Sequence, residues 1–215
     1  MAKELILSLA GCILMGYFIG CISPSYIIGL FKGYDVRKSG SNNAGASNTV
    51  IMAGPLAGLF VAAADIFKAW FAWRAAQYLF PRIALAGVIS GSACVLGHMF
   101  PVFLRFKGGK GFACLGGMVL AHSTGSFFCL LSLAIALALF VKYVAVVSCT
   151  MSVVFPAWYY VTGGALLGSL ILLIPACAMF CKHMENFRRI KLGTELRISY
   201  LWNKDEELKR AGYEK

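Results

Sequence analysis

The sequence predicts an all-α integral membrane protein of about seven transmembrane helices, with its N-terminus outside and its C-terminus in the cytoplasm. Three observations carry this. Hydrophobic residues make up 60% of the chain and charged residues only 13%, so a water-soluble fold of 215 residues would have no way to cover its apolar surface. The apolar residues fall into runs near the ~20 residues that a spanning helix needs. The formal net charge of +11 is concentrated in alternate loops and a basic tail, which suits cytoplasmic loops and anionic headgroups and not a nucleic-acid partner.

The first run, 4–31, is long and carries Pro24, which removes a helix donor and predicts a kink or an unwound end. Further runs are read at 53–79, 84–104, 111–122, 126–141, 143–162 and 164–182. The fourth is short. Joined to the fifth it would make one helix of about 46 Å, longer than the hydrocarbon core requires. His122-Ser123-Thr124-Gly125 reads as a break between them. With the break, seven spans place Lys32, Arg37, Lys38, Arg105, Lys107, Lys110, Lys142 and the basic tail from Lys182 to Lys215 on one side. Lys3, Arg74 and Arg82 fall on the other. That asymmetry marks the first side as cytoplasmic. The whole chain reads as one membrane domain, with 183–215 a cytoplasmic extension.

The eight cysteines lie mostly inside apolar runs, without a CxxC pair or zinc spacing, and read as small apolar filler. Gly87-xxx-Gly91 and Gly164-xxx-Gly168 read as packing spacings between helices. Asp65 and Lys68 lie inside the second run, three residues apart on one helix face. Ionisable residues in a membrane are expensive and pair with one another, either as a structural salt bridge or as support for a site.

Three polar stretches share the cytoplasmic side: "RKSGSNNAGASNT" at 37–49, "GHMFPVFLRFKGGKG" at 97–111 and "KHMENFRRIKLGTE" at 182–195. Their common chemistry is anion binding. Glycine-rich backbone can turn N–H groups toward phosphate, Lys107 and Lys110 supply charge, and Ser41, Asn42, Asn43 and Asn48 supply neutral donors. Each loop alone also reads as a flexible connection or a positive anchor. A nucleotide P-loop is excluded, because Gly111 follows Lys110 and Leu104 stands where a glycine is required. His183 and Asn186 share a face if the last helix continues. A channel or transporter for a phosphorylated solute is the rival class, but all three stretches face one side, whereas transport needs access from both.

On these stretches the chain resembles the bacterial acyl-phosphate-dependent glycerol-3-phosphate acyltransferases. "SGSNNAGASN", "GHMFPVFLRFKGGKGFA" and "HMENFRRIKLGTE" look like that family's three signatures, in order. The resemblance implies seven membrane helices in a bacterial plasma membrane and transfer of a fatty acyl group from acyl phosphate to the 1-hydroxyl of glycerol 3-phosphate. It implies neither a metal nor an organic cofactor. Carried over by position, it implies catalytic or orienting roles for Ser41, His183 and Asn186. It implies substrate binding by Asn43, Asn48, Lys107, Gly108, Gly109, Lys110, Gly111 and Glu195. His183 would align the acceptor or relay a proton, or a substrate phosphate oxygen would act as base. The chain departs from the pattern at Asn42, Ser47 and Ala69. It also has Ile51 where an arginine is usual, Ala145 where a serine is usual, and Lys142 where an arginine is usual. A catalytically altered paralogue with another acceptor is the alternative these departures suggest. The backbone at Gly109 is expected to approach phosphate closely, in a conformation that can require positive φ, so that Gly109→Ala would raise the KM for the phosphate-bearing substrate with little change in folding.

Overall fold

A computed structural model describes residues 2–212, so the tail charge Lys215 lies outside the described residues. Ten α-helices form among them: α1 (Ala2–Cys21), α2 (Pro24–Phe31), α3 (Ala46–Ala53), α4 (Pro55–Leu79), α5 (Ala86–Met99), α6 (Phe112–His122), α7 (Thr124–Val141), α8 (Val144–Val161), α9 (Leu166–Lys191) and α10 (Lys204–Arg210). Two short 3-10 turns, Val102–Leu104 and Ile198–Leu201, complete the chain.

Six segments are long and apolar enough to cross a membrane, α1 with α2 counting as one, and α6 is a shorter apolar seventh. Proline and the caps explain the boundaries. Ser23 accepts a hydrogen bond from Tyr26 N, and Pro24 occupies the first turn of α2, so the first run breaks where its proline predicts. Ser123 likewise accepts from Ser126 N and starts α7, so the expected break between the fourth and fifth runs is present. The polar first loop is not structureless throughout, because its second half winds into α3, which ends at Gly54 (φ 91°).

Helix α5 is the centre of the bundle, buried along nearly its whole length, while α1 and α7 turn Leu5, Ile6, Phe128, Ile135 and Phe140 outward as a lipid-facing surface. Helices α1 and α5 cross closely. A Cβ on Gly16, Gly20 or Gly97 would stand 2.1 Å from a carbonyl oxygen of the other helix, so only glycine permits this approach. The two small-residue spacings read from the sequence have a different use. Gly87 and Gly91 make room for the Trp73 ring, and Gly164 and Gly168 for the Tyr159 ring. Trp73, Met99, Met118, Phe155, Tyr159 and Met179 form the main core between α4, α5, α6, α8 and α9.

The loops gather at two ends. At one, Arg37 reaches from the first loop to Leu104 O at 3.0 Å, and Ile198 N donates to Lys142 O at 2.8 Å. At the other, His122 Nε2 and Thr162 Oγ1 lie 2.9 Å apart. Lys110 of the second stretch also bonds to Asn186 of the third, so the three polar stretches meet at a single end of the bundle.

Candidate active site

The last membrane helix does continue past the apolar run. Helix α9 runs to Lys191, and its i, i+3, i+6 positions place buried His183 and Asn186, with Arg189, on one face. His183 Nδ1 lies 2.8 Å from Met179 O. A carbonyl only accepts, so the proton sits on Nδ1 and Nε2 keeps a free lone pair.

Four residues on two segments form a chain of hydrogen bonds. Lys110 Nζ donates to Asn186 Oδ1, Asn186 Nδ2 donates to Glu195 Oε1 at 2.5 Å, and Arg189 Nε donates to Glu195 Oε2 at 2.7 Å. The asparagine amide is thereby fixed in one orientation. Burial pushes the Lys110 ammonium down to about 8, although Glu195 opposes the shift.

The first loop is braced by Asn48. Its side chain is fully buried, accepts from Ser41 N at 2.8 Å and donates to Val36 O and Ser39 O at 2.9 and 3.0 Å. Asn48 thus positions Ser41 and takes no part in lining the cavity. No partner among the described residues takes the Ser41 hydroxyl. Arg37 holds the loop from the other side through Asp35 (2.7 Å) and stands 4.9 Å from the Tyr26 ring centroid. That ion pair keeps the Asp35 carboxyl at about 2.

The glycine-rich loop has a different task from a phosphate nest. Gly108 N donates to Met99 O at 3.2 Å and Gly109 N to His98 O at 3.1 Å, so both N–H groups close the end of α5 and are not free for a ligand. A Cβ on Gly109 would lie 2.1 Å from His98 Nε2 and 2.8 Å from Ala44 O. The positive φ belongs to Gly111 (90°), at the start of α6, and not to Gly109. Lys107 is exposed and stands away from the cavity, which leaves Lys110 as the loop's charge there.

Behind this loop lies a buried ionic cluster. Lys68 Nζ is 2.7 Å from Asp65 Oδ1, 3.0 Å from His98 Nδ1 and 2.6 Å from Ile22 O, and His98 Nδ1 is 3.3 Å from Asp65 Oδ1. The cluster ties α4, the α1–α2 break and the end of α5 together, so the expected salt bridge is present and is joined by His98, whose carbonyl accepts from Gly109 N. Asp65, His98 and Cys114 bring ligand-type atoms within 4.8 Å of one another, but the Lys68 ammonium already supplies the positive charge among them.

Between α3, α4, α9 and the tail opens a cavity of about 430 Å³. Ser41, Asn43, Lys110, His183, Asn186 and Glu195 line it, so six of the expected site residues converge. Arg189 and Arg197 join them. The 183–186–189 spacing would have found Arg189. Nothing local marks Arg197. Ile51 and Ala145 line the same cavity with apolar side chains. A second cavity of about 190 Å³ adjoins it at Ala62 and is walled by Ile66, Phe112, Leu115, Phe127, Leu130 and Phe155 without a polar atom.

Residues 10–193 match the family model described as glycerol-3-phosphate acyltransferase. The chain belongs to the glycerol-3-phosphate acyltransferase family. It is 34% identical to the glycerol-3-phosphate acyltransferase of Lacticaseibacillus casei, over 88% of this chain and 91% of that one. It is 36% identical to that of Thermotoga petrophila, over 86% and 94%. Its structure is similar to the crystal structure of PlsY (YgiH), an integral membrane glycerol 3-phosphate acyltransferase, in the glycerol 3-phosphate form. The TM-score is 0.82 at 30% identity, covering 90% of this chain and 97% of that one. The lysophosphatidic acid form of PlsY gives a TM-score of 0.79. This acyltransferase family membership and the six apolar helices make the chain an integral membrane acyltransferase of the same fold.

Proposed function

We propose that this chain transfers a fatty acyl group from acyl phosphate to the 1-hydroxyl of glycerol 3-phosphate, giving lysophosphatidic acid and inorganic phosphate. The observation that carries the reading is one cavity lined by cations and by an unprotonated imidazole nitrogen, with an apolar cavity beside it that shares the Ala62 wall. The hydroxyl oxygen attacks the acyl carbonyl carbon, the carbon–oxygen bond to phosphate breaks, and the phosphate departs with the bonding pair. The hydroxyl proton passes to His183 Nε2 or to a phosphate oxygen. Acyl phosphate is already activated, so the protein's work is positioning and charge neutralisation. Lys110 and Arg189 offset phosphate charge, Ser41 and Asn186 orient it, and Glu195 holds Asn186 and Arg189 in place. The acyl chain fits the apolar cavity, where each buried methylene contributes about 0.8 kcal/mol.

The same reading makes residues 1–215 one domain of a bacterial plasma-membrane protein, with the site end and the C-terminus in the cytoplasm and the N-terminus outside. An assay of the purified chain with acyl phosphate and glycerol 3-phosphate tests it. Phosphate release coupled to lysophosphatidic acid is the expected result. Activity only with acyl coenzyme A or acyl carrier protein would sink the donor assignment, and no acylation of glycerol 3-phosphate by any donor would sink the acceptor.

A further inference from the structure

Residues 194–212 lie beyond the span 10–193 that the family model matches, yet six of them line the cavity: Glu195, Leu196, Arg197, Ile198, Tyr200 and Leu201. The segment is held in place by its own contacts. Ile198 N is bonded to Lys142 O, at the C-terminal cap of α7. Buried Glu207, on α10, accepts from Arg197 N at 3.2 Å, Ser199 Oγ at 3.0 Å and Arg210 Nη2 at 2.8 Å. Arg210 also donates to Gly193 O at 2.7 Å and Glu195 O at 2.6 Å. Helix α10 therefore staples the strip 195–201 along the cavity wall.

That strip delivers a third cation. Lys110 is bonded to Asn186 and Arg189 to Glu195. The Arg197 guanidinium forms no ion pair within 4.0 Å among the described residues; Glu207 meets only its backbone N–H. Its Nε donates to the Tyr143 hydroxyl at 3.3 Å, and its guanidinium carbon lies 5.9 Å from the Tyr143 ring centroid. Tyr143 thus holds the side chain by its inner nitrogen, and leaves both terminal nitrogens to donate. A planar fork with two unused donors at the wall of a cavity is matched by two oxygens of one phosphate.

We infer that Arg197 is a substrate-binding residue: the stapled C-terminal strip brings its guanidinium to the cavity, where it grips a phosphate group in two-point contact. The inference rests on the acyl-transfer reading. Both substrates carry phosphate, and the test separates them. Arg197→Gln, Arg197→Lys and Tyr143→Phe are made in the full chain. The KM of each substrate is measured at saturation of the other, with thermal unfolding recorded with and without glycerol 3-phosphate and with and without inorganic phosphate. Arg197→Gln raises one KM about tenfold or more while kcat changes far less, the size expected for a lost charge-assisted contact. A rise for glycerol 3-phosphate assigns the contact to the acceptor, and a rise for acyl phosphate to the donor. Arg197→Lys recovers part of the loss, and Tyr143→Phe, which keeps the charge and frees its orientation, costs less. Both KM values within twofold of the unmodified protein would overturn the inference, and a lowered unfolding temperature with unchanged KM would show a brace only. If the unmodified chain transfers no acyl group, the acyl-transfer reading fails separately. The phosphate-induced rise in unfolding temperature then decides for Arg197: its loss in Arg197→Gln supports the contact and its persistence overturns it.

Discussion

Lys110 and Gly109 stand one position apart in the same loop and behave in opposite ways. Lys110 points its ammonium at the cavity, and burial brings its titration to about 8. A bound phosphate dianion favours the protonated lysine, so binding is full below that value and weakens as pH rises through it. The KM for glycerol 3-phosphate is expected to be flat from about pH 7 to 8 and to climb above it, approaching tenfold per unit. Lys110→Arg moves the climb out of reach, because a guanidinium does not titrate there. A KM profile level to pH 9.5 in the unmodified protein would refute a charged Lys110 as a phosphate contact. Gly109 has no such contact to lose. Its missing Cβ makes room for His98 Nε2, and His98 belongs to the buried cluster with Asp65 and Lys68. Gly109→Ala therefore forces the imidazole aside and leaves a buried ion pair imperfectly met, at a cost of about 3–5 kcal/mol. A large drop in unfolding temperature is the expected outcome. This reverses the expectation from sequence of weaker binding with intact folding, and a stable variant with raised KM would restore it.

At the scale of elements, α3 and α9 explain why some site residues were readable in advance and others were not. His183 and Asn186 follow from helical spacing, and α9 extends far enough to make that spacing real. Asn48 reads as a ligand from its type, but its place in the first turn of α3 turns it inward to hold the preceding loop, a contact set by residues that no periodicity relates. The remaining cavity faces of α3 and α8 are apolar at Ile51 and Ala145. If a phosphate rests between them, Ile51→Arg and Ala145→Ser both add donors to one group. Their combined effect on acceptor KM is then expected to exceed the product of the single effects, by a coupling of about 0.5–3 kcal/mol. Strictly multiplicative effects in that four-protein cycle would place the two residues on different ligands, or Ile51 outside the phosphate site.

For the whole molecule, the decisive quantity is the parity of crossings. Six long apolar segments and the shorter α6 bring the basic loops to one end, and the end near Arg74 and Arg82 holds little other charge. A reporter fused after Lys215 is expected to signal from the cytoplasm and one fused before α1 from outside. An external signal at the C-terminus would make α6 and α7 a re-entrant pair and turn the active site away from soluble glycerol 3-phosphate.

The chain's composition, its apolar run lengths, the break at Ser123 and the lysine asymmetry determine the class, the helices and the end of the bundle where the site lies. These depend on neighbours within a few residues or on sums over loops, and sequence holds both. Only the tertiary structure decides that the Gly108 and Gly109 N–H groups are spent on the end of α5, that Lys110 lines the cavity while Lys107 does not, and that Arg197 from a nondescript tail joins its lining. Each is a meeting of segments tens of residues apart. The direction of a donor there depends on which carbonyl or cation another segment brings to it.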